Sequence, residues 1–328
     1  MKVLVTGGAG YIGSVVAEAL IEAGCAVTVY DNLSKGHRAA VPLAAELIVG
    51  DVGNRATLET VLQNGGFDGV MHFAASIEVA ESMVVPERFF RNNTANTLVL
   101  LELVLQYRIP RFVFSSTAAL YGDPDRTPIE ESDPLRPNNA YGESKLLVER
   151  MLEWFHRIHG LRYASLRYFN AAGATERLGE DHHPESHLIP LVLEVAAGKR
   201  GSISIFGTDY STPDGTCVRD YIQVSDLASA HLLAFERLGK DDAPERLIYN
   251  LGNGRGFSVR EVIAAAHEVT CRQIAVREAP RRSGDPAVLV ASFQKIQREL
   301  GWQPRHTDLA GIIESAWRWR QKHRNGSE

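Results

Sequence analysis

VTGGAGYIG (residues 5–13) ends an apolar run and opens a helical pattern, with glycines at positions 7, 10 and 13. The run before it, KVLVTG, is rich in β-branched residues, as buried strands are, and apolar residues recur at helical spacing from Tyr11 to Gly24. Glycines at such a junction let the backbone turn tightly and approach a pyrophosphate, whose charge the free amides of a helix start can bind. We therefore predict a dinucleotide-binding loop at Gly7, Gly10 and Gly13; the alternative is a turn of purely structural value.

Two acidic residues follow the next two apolar runs. Asp31 ends the run AVTVYD, 18 residues after Gly13, and Asp51 follows the run ELIVG. A carboxylate at the end of the second strand accepts hydrogen bonds from ribose hydroxyls and repels a 2′-phosphate. We therefore predict NAD rather than NADP as the cofactor, with Asp51 near the adenine amine.

Six short apolar runs alternate with helical stretches up to about Ala172. Such alternation predicts an α/β protein with a Rossmann-like doubly wound parallel sheet. After Ala172 the pattern changes to Pro, Gly and charge clusters between shorter elements. We predict an NAD-binding domain over residues 1–172 and a smaller α/β substrate-binding domain over residues 173–328. The run RLIYNLG, near residues 246–252, is a possible further strand of the first sheet.

Composition narrows the class of protein. Of the 328 residues 45% are apolar, the formal net charge is −5, and Lys and Arg are scattered along the chain, which argues against nucleic acid as a partner. The sequence has no run of 18 uncharged apolar residues and begins its first strand pattern at residue 2, so we expect a cytoplasmic protein without a membrane segment. Cys25, Cys217 and Cys271 are few and far apart, which fits a reducing compartment and indicates neither disulfides nor a CxxC metal site.

The stretch AYGESK, residues 140–145, places a phenol and an ammonium four positions apart. On a helix Tyr141 and Lys145 share one face, although a solvated helix start would show the same spacing. A cation about 4 Å from the phenol contributes about 4 kcal/mol at an effective dielectric of 20, or about three pKa units. Lys145 could therefore make Tyr141 a base near neutrality. Gly142 between them is expected to leave room for the substrate or the nicotinamide.

The motifs TGGAGYIG, YDNLSKG, GDV, FSST, YGESK and RYFNAAGA resemble, in this order, those of the extended short-chain dehydrogenases/reductases. Within that superfamily the segments GTDYSTPDGTCVRDYI and RRSGDPAVLVAS are similar to those of the UDP-glucose 4-epimerases. The resemblance implies an isomerase of galactose metabolism that uses NAD to interconvert UDP-glucose and UDP-galactose through a transient 4-keto sugar. It also implies a homodimer formed by the helices that follow Asn93 and Tyr141.

The resemblance also assigns site residues at matching motif positions. Besides Tyr141 and Lys145 it implies a catalytic hydroxyl on Thr117, at the end of FSST. Besides the glycines and the two acids, the implied cofactor contacts are Tyr11, Ile12, Asn32, Val52, Phe73, Ala74, Ala75, Asn92, Ser115, Tyr141, Lys145, Tyr168 and Phe169. The implied substrate contacts are Thr117, Tyr141, Asn170, His187, Leu188, Ser204, Phe206, Arg219, Arg282, Asp285 and Leu289.

Three departures from the family pattern bear on specificity. Ala118 stands where related dehydratases carry an acid, which favours epimerisation over a 4,6-dehydratase. A UDP-glucuronate 4-epimerase is the other enzyme alternative, and a non-catalytic NAD sensor would not need Thr117, Tyr141 and Lys145 together. Leu289, at the gate to the sugar pocket, is of intermediate size and raises the hypothesis that UDP-GlcNAc and UDP-GalNAc also react. Ile77 replaces a lysine that some relatives place near the cofactor phosphates.

A group of histidines at positions 182, 183 and 187 raises the question of a metal site. Imidazole is a common metal ligand, but neither a cysteine nor a second carboxylate cluster accompanies these histidines at ligand spacing, and the stretch is typical of a solvated loop. We therefore expect no metal, and we expect His187 to lie near the nucleotide.

Overall fold

A seven-stranded parallel sheet forms the centre of the protein, in the strand order β10-β6-β5-β4-β1-β2-β3. The computed structural model describes residues 1–240, 245–282 and 284–323, so the end of the predicted second domain and part of the RRSGDP segment lie outside the described residues. The strands are β1 (Lys2–Thr6), β2 (Ala26–Asp31), β3 (Glu46–Val49), β4 (Gly69–His72), β5 (Arg111–Thr117), β6 (Arg162–Tyr168), β7 (Asn170–Ala172), β8 (Ile203–Phe206), β9 (Val218–Gln223), β10 (Arg246–Leu251), β11 (Gly256–Ser258), β12 (Val276–Ala279) and β13 (Val288–Leu289).

Helices cover both faces of this sheet. The helices of the described residues are α1 (Tyr11–Glu22), α2 (Arg55–Gly65), α3 (Val79–Ser82), α4 (Pro86–Phe89), α5 (Asn96–Gln106), α6 (Ala140–His159), α7 (Leu188–Ala196), α8 (Val224–Leu238), α9 (Val259–Thr270), α10 (Gln294–Leu300) and α11 (Leu309–Lys322). Of these, α1, α2, α5, α6 and α8 share the two cores of the central sheet. Short 3₁₀ turns span Arg38–Ala40 and Ala118–Tyr121, and a π-helical turn spans Phe90–Ala95.

The first strand shows why helices are needed on both sides. Val3 and Val5 point into one core, which α1 and α8 cover, whereas Leu4 between them joins a second core under α2, α5 and α6. All three side chains are fully buried. Because side chains alternate along a strand, a run that is apolar at every position requires cover on both faces. The predicted Rossmann-like α/β fold is therefore confirmed.

The remaining strands form smaller sheets beside the carboxyl ends of the main one. β9 pairs with β7, β11 and β13, while β8 pairs with β12. A separate core of α7, α9 and α11 side chains packs against this part. β10 pairs with β6 at the edge of the main sheet, so the chain returns to that sheet after β7, β8 and β9 and before β11, β12 and β13 of the smaller sheets. The division of the chain at residue 172 stays a prediction.

The apolar segment at residues 98–105 lies in α5, which buries Leu100, Leu101, Leu103 and Val104 against the sheet and leaves Leu98 exposed. Among the described residues, no helix combines the length and the apolar character that crossing a membrane requires.

Candidate active site

A cleft of about 1410 Å³ runs along the carboxyl ends of the central strands. In the sheet β1 lies between β2 and β4, so the chain order reverses there, and ligands of open α/β sheets bind at such a switch point. Every residue predicted from the sequence to contact cofactor or substrate lines this one cleft. The fold thus brings the predicted residues together, although their individual roles remain proposals.

The loop after β1 is built for close approach of a ligand to the backbone. Gly7 has a φ of +73°, and a Cβ there would overlap the backbone nitrogen of Ala74. A Cβ on Gly13 would overlap the carbonyl oxygen of Gly7. Gly10 caps α1, and among the described residues no side chain bonds the helix's first amides at this cap. The free amides and the space beside Gly10 therefore fit an anionic pyrophosphate.

Asp31 is fixed at the end of β2 by backbone amides. Its Oδ2 accepts from the Ala9 N–H at 3.0 Å and its Oδ1 from the Leu33 N–H at 2.8 Å. Because a carboxylate oxygen can accept more than one hydrogen bond, both oxygens can still serve a ribose. Asn32 Nδ2 donates to Asp51 Oδ2 at 2.6 Å, which connects the two acidic positions. These two acidic side chains fit NAD rather than NADP, because a carboxylate at the end of β2 disfavours a 2′-phosphate.

Lys35, within the YDNLSKG motif, is a cleft residue that the sequence pattern does not predict. It lines the cleft, and its Nζ lies 2.9 Å from Glu78 Oε1 and donates to the His183 carbonyl at 3.2 Å. Lys35 follows β2 and Glu78 follows β4, so this ion pair joins the loops after the two strands that flank β1. The cleft therefore has a lysine at its rim even though Ile77 replaces the one expected in the β4 loop.

Tyr141 and Lys145 lie on the first turns of α6, as their spacing predicted. Asn139 caps this helix, since its side chain accepts the Gly142 N–H at 2.8 Å. Lys145 is 2% exposed, and its Nζ donates to the Ser115 carbonyl at 2.9 Å. The ammonium is thus held against the end of β5 rather than in water.

Thr117 supplies a hydroxyl at the last position of β5. Its Oγ1 accepts the Ala119 N–H at 3.1 Å, and the hydroxyl lies close enough to the Tyr141 phenol to lower the phenol's pKa. Thr117, Tyr141 and Lys145 therefore border one part of the cleft.

The acid–base balance differs from the expectation drawn from spacing. Burial raises the pKa of Tyr141 to about 12, although the Thr117 hydroxyl opposes the rise, and burial lowers the pKa of Lys145 to about 7. Both shifts have one physical cause, because removing water disfavours the phenolate and the ammonium alike. In the protein without cofactor the pKa of Tyr141 is therefore raised, and the lowering that the spacing of Tyr141 and Lys145 predicted is not seen.

Gly142 serves packing rather than the substrate. A Cβ at this position would lie 2.6 Å from the Ala119 carbonyl oxygen and 3.1 Å from Pro137 Cβ. The glycine therefore lets α6 approach the 3₁₀ turn after Thr117. The expectation that it leaves space for sugar or nicotinamide was wrong.

Asn92 lies in the π-helical turn and contacts the loop after β4. Its Nδ2 donates to Ser76 Oγ at 3.1 Å, and the neighbouring Asn93 donates to Ser76 O at 2.9 Å and to Ser144 Oγ at 3.0 Å. π-Helical turns are often found at functional sites. Here Asn93, which the sequence did not single out, connects this loop to α6.

The other end of the cleft contains two arginines. The Arg282 guanidinium lies 3.9 Å from the centre of the Phe206 ring. Arg219 forms an ion pair with Asp285 and donates to the Val218 carbonyl at 2.8 Å. Guanidinium groups pair well with phosphate oxygens, so this end can hold a diphosphate.

His187 caps α7 and is surrounded by acids that the sequence interpretation overlooked. Its Nδ1 lies 2.7 Å from Glu180 Oε1 and 3.2 Å from Glu185 Oε1. Both glutamates line the cleft. They precede His187 by seven and two positions, so their place in the same loop was the available signal.

Comparisons with known proteins agree with this geometry. Residues 3–252 match the family described as "NAD dependent epimerase/dehydratase family". A UDP-glucose 4-epimerase from Streptomyces lividans is 52% identical over 326 residues, which cover 99% of this chain and 98% of the relative. A crystal structure of a UDP-glucose 4-epimerase superposes with a TM-score of 0.96 at 49% identity, with full coverage of both chains. The enzyme of that name from Brucella ovis, solved in complex with NAD, has a TM-score of 0.92 at 44% identity and covers 96% of this chain and 97% of its own.

A family match over this much of the chain, together with relatives at half identity, agrees with the glycine loop, the acid after β2 and the tyrosine–lysine pair on α6. The chain therefore belongs to the NAD dependent epimerase/dehydratase family.

Proposed function

We propose that this protein is an NAD-dependent isomerase that interconverts UDP-glucose and UDP-galactose through a transient 4-keto sugar. The observation that carries the proposal is one cleft that joins a dinucleotide loop, the Thr117, Tyr141 and Lys145 side chains, and two arginines suited to a diphosphate. Relatives of this name at about half identity support it. The dehydratase alternative lacks support, because Ala118 offers no acid beside Thr117.

The cofactor end of the cleft holds NAD through backbone and carboxylate groups. The amides at the start of α1 bind the pyrophosphate, and Asp31 binds the ribose hydroxyls. Bound NAD supplies a reversible hydride acceptor and a positive charge beside the sugar. No net oxidation of the substrate results, because the hydride that leaves the sugar is returned to it.

Tyr141 handles the proton. Its phenolic oxygen takes the proton of the sugar 4-hydroxyl and gives it back when the ketone is reduced. With a pKa of about 12 in the protein without cofactor, the phenol is neutral near pH 7 and needs additional positive charge in the cleft to act as a base. Thr117 orients the reacting hydroxyl, and Lys145 adds to the positive charge when it is protonated.

The substrate end holds the UDP group and leaves the sugar loosely tethered. Arg219 and Arg282 bind the diphosphate, and Phe206 offers an aromatic face to the base. Inversion requires the 4-keto sugar to present its other face, so most binding energy must come from the nucleotide. A UDP-binding end separate from the catalytic residues meets this requirement.

The test is product analysis by NMR after incubation of the purified protein with UDP-galactose. We expect UDP-glucose to form, and we expect Tyr141→Phe to lower turnover by about 10²–10⁴-fold while the protein still elutes with NAD. A product that lacks the 6-hydroxyl would indicate a dehydratase, and failure to interconvert the two sugars would reject the proposal.

N-acetylated sugars are a second candidate substrate pair. Leu289 lines the cleft, is half-buried and packs against the cluster that contains Ala118 and Phe169. A leucine blocks less of the pocket than a tyrosine would. We expect turnover of UDP-GlcNAc that Leu289→Tyr reduces more than it reduces turnover of UDP-galactose; equal loss on both substrates would argue against a gating role.

We further propose a homodimer that forms through α5 and α6. Leu98 on α5 and Trp154 and Ile158 on α6 are 36%, 60% and 67% exposed, and these two helices contact each other. Exposed apolar side chains on neighbouring helices fit a protein–protein contact. Light scattering should give twice the monomer mass for the natural sequence and a lower mass for Trp154→Glu. Val276→Glu, at an exposed residue of β12, is the control.

A further inference from the structure

Four side chains with metal-binding atoms meet in the loop before α7. Glu180, His182, Glu185 and His187 each offer one ligand atom, and these atoms all lie within 4.8 Å of one another. We call them the His–Glu cluster. All four residues line the cleft. His187 is the N-cap of α7 and Leu188 is its first residue, and both lie at the substrate end of the cleft.

The spacing within the His–Glu cluster matches a metal site. Glu180 Oε1 lies 3.2 Å from His182 Nδ1, and Glu185 Oε1 lies 3.2 Å from His187 Nδ1. Ligands about 2.0–2.1 Å from a tetrahedral Zn²⁺ ion stand roughly 3.3 Å apart. Two of the six distances between the ligand atoms are therefore close to the edge of such a tetrahedron, while Glu180 Oε1 and His187 Nδ1, at 2.7 Å, would have to move slightly apart.

Part of the cluster lacks hydrogen-bond donors, although Glu185 Oε1 accepts the backbone N–H groups of Ser186 and His187 at 2.7 and 2.9 Å. The Nδ1 proton of His187 faces two carboxylates, Glu180 Oε1 at 2.7 Å and Glu185 Oε1 at 3.2 Å. Among the described residues, buried Glu185 Oε2 has no hydrogen-bond partner, and the contact of buried His182 Nδ1 with Glu180 Oε1 at 3.2 Å lacks hydrogen-bond geometry. The Glu185 side chain is only 4% exposed, and the nearest guanidinium nitrogen, on Arg320, is 3.8 Å from Oε2. Buried polar atoms without partners are costly, so the arrangement calls for a cation.

We propose that the His–Glu cluster binds one Zn²⁺ ion. Two imidazoles and two carboxylates are ligands of the type that Zn²⁺ takes, and the two negative charges balance its charge. Four protein ligands leave no open position, so the ion is structural rather than catalytic. When it binds, the proton on His187 Nδ1 leaves to solvent.

The ion would rigidify the loop before α7, which positions His187 near the nucleotide. Coordination uses Nδ1 of His187 and leaves Nε2 for a contact with the UDP group, so the two roles are compatible. This inference reverses the expectation of no metal, which considered the histidines without Glu180 and Glu185.

A second group, formed by two residues of this loop and His37 of the loop after β2, provides the control. His37, Asp181 and His183 also place ligand atoms within 4.8 Å of one another, but all three residues are exposed. His37 Nε2 already contacts the Asp181 carbonyl at 2.8 Å. Water can satisfy exposed groups, so this trio does not need a cation, and His183→Ala should leave tight binding unchanged.

The experiment equilibrates the purified full chain with ZnCl₂, removes excess ion by gel filtration and measures zinc by mass spectrometry. We expect one Zn²⁺ per chain in the natural sequence and in His183→Ala. Glu185→Gln and His182→Ala should bind Zn²⁺ more weakly by at least about 100-fold. Co²⁺ in place of Zn²⁺ should give the strong visible absorption of tetrahedral coordination.

Retention of no zinc by the natural sequence would overturn the proposal, as would equal zinc in Glu185→Gln, His182→Ala and the natural sequence. Loss of zinc in His183→Ala but not in Glu185→Gln would assign binding to the exposed trio instead. Circular dichroism shows which variants are folded. If Glu185→Gln does not fold, the zinc content of His182→Ala decides the test. None of these readouts depends on turnover, so failure here is distinguishable from failure of the proposed epimerase activity.

Discussion

The two ends of the cleft present different chemical groups to their ligands, backbone groups at the cofactor end and side chains at the substrate end. The cofactor end is made of backbone: Gly7 and Gly13 lie where a Cβ would overlap main-chain atoms, and the amides of α1 face the ligand. The substrate end is made of long side chains, with Arg282 over Phe206 and Arg219 paired with Asp285. A backbone site is complete before the ligand arrives, whereas side chains that pair with each other must exchange partners when UDP binds.

Because of this difference, substitutions at the cofactor end should abolish binding, whereas substitutions at the substrate end should weaken it stepwise. Added atoms at the cofactor end have no room, so binding should fail altogether. Changes at the substrate end remove one contact among several, so affinity should fall stepwise.

The largest effect is expected from Gly13→Ala. Its Cβ would overlap the Gly7 carbonyl oxygen, so the phosphate loop must move and NAD should be lost. We expect the variant to elute without NAD absorbance and without measurable turnover. Gly201→Ala is the matched control, because a Cβ there meets nothing within 4 Å. Tightly bound NAD in Gly13→Ala would contradict the claim that the cofactor end tolerates substitutions less than the substrate end does.

Arg282→Ala should have a large but graded effect. Loss of a charge-assisted contact with phosphate costs about 1.5–3 kcal/mol, which corresponds to a rise in KM for UDP-galactose of roughly 10–100-fold. NAD should stay bound. Arg281→Ala is the control, since Arg281 is exposed and pairs with Asp209 at 2.7 Å. An equal loss in both variants would mean that general surface charge, not this contact, binds the substrate.

Lys145 links the cleft to stability. Its pKa is lowered to about 7 in the folded protein from an ordinary value near 10.5, so the unfolded chain binds more protons between these values and stability rises with pH. In the cofactor-free protein Lys145 should contribute a gain of about 2 kcal/mol between pH 7 and 9, and its contribution should flatten below pH 7. Denaturant unfolding at several pH values measures this gain. Lys145→Met should remove it, and an unchanged pH dependence in that variant would assign it to other groups.

The smallest effect is expected from Lys35→Ala. The ion pair with Glu78 joins the loops on either side of β1, and a partly exposed pair contributes at most about 1 kcal/mol. We expect NAD to leave up to about five-fold faster, as followed by dilution into excess labelled cofactor. Arg55→Ala, which breaks an exposed pair with Glu102, should not change the rate. An unchanged rate in Lys35→Ala would show that the backbone alone retains NAD.

The cofactor end was predictable from sequence because its signals are local. Gly7, Gly10 and Gly13 occur within seven residues, and the strand runs are apolar at consecutive positions. The position of Tyr141 beside Lys145 also follows from helix geometry.

Features that depend on distant contacts were not predictable. The direction of the pKa of Tyr141 follows from burial, which packing of the whole cleft determines. Lys35 meets Glu78 only because β1 lies between their strands, and Gly142 is needed only because Ala119 approaches it. The spacing of residues in the sequence suggests which groups lie near Tyr141. It does not show how far burial of the phenol raises its pKa against the effect of those neighbours.

The position of β10 affects how the protein is made. β10 covers the edge of β6, yet it is synthesised after β7, β8 and β9. On the ribosome the edge of β6 therefore stays unpaired until residue 251 has been added and released from the exit tunnel. An unpaired edge strand can recruit strands of other chains. Nascent chains that stall before β10 should accordingly be the aggregation-prone species of this protein and the ones that require a chaperone.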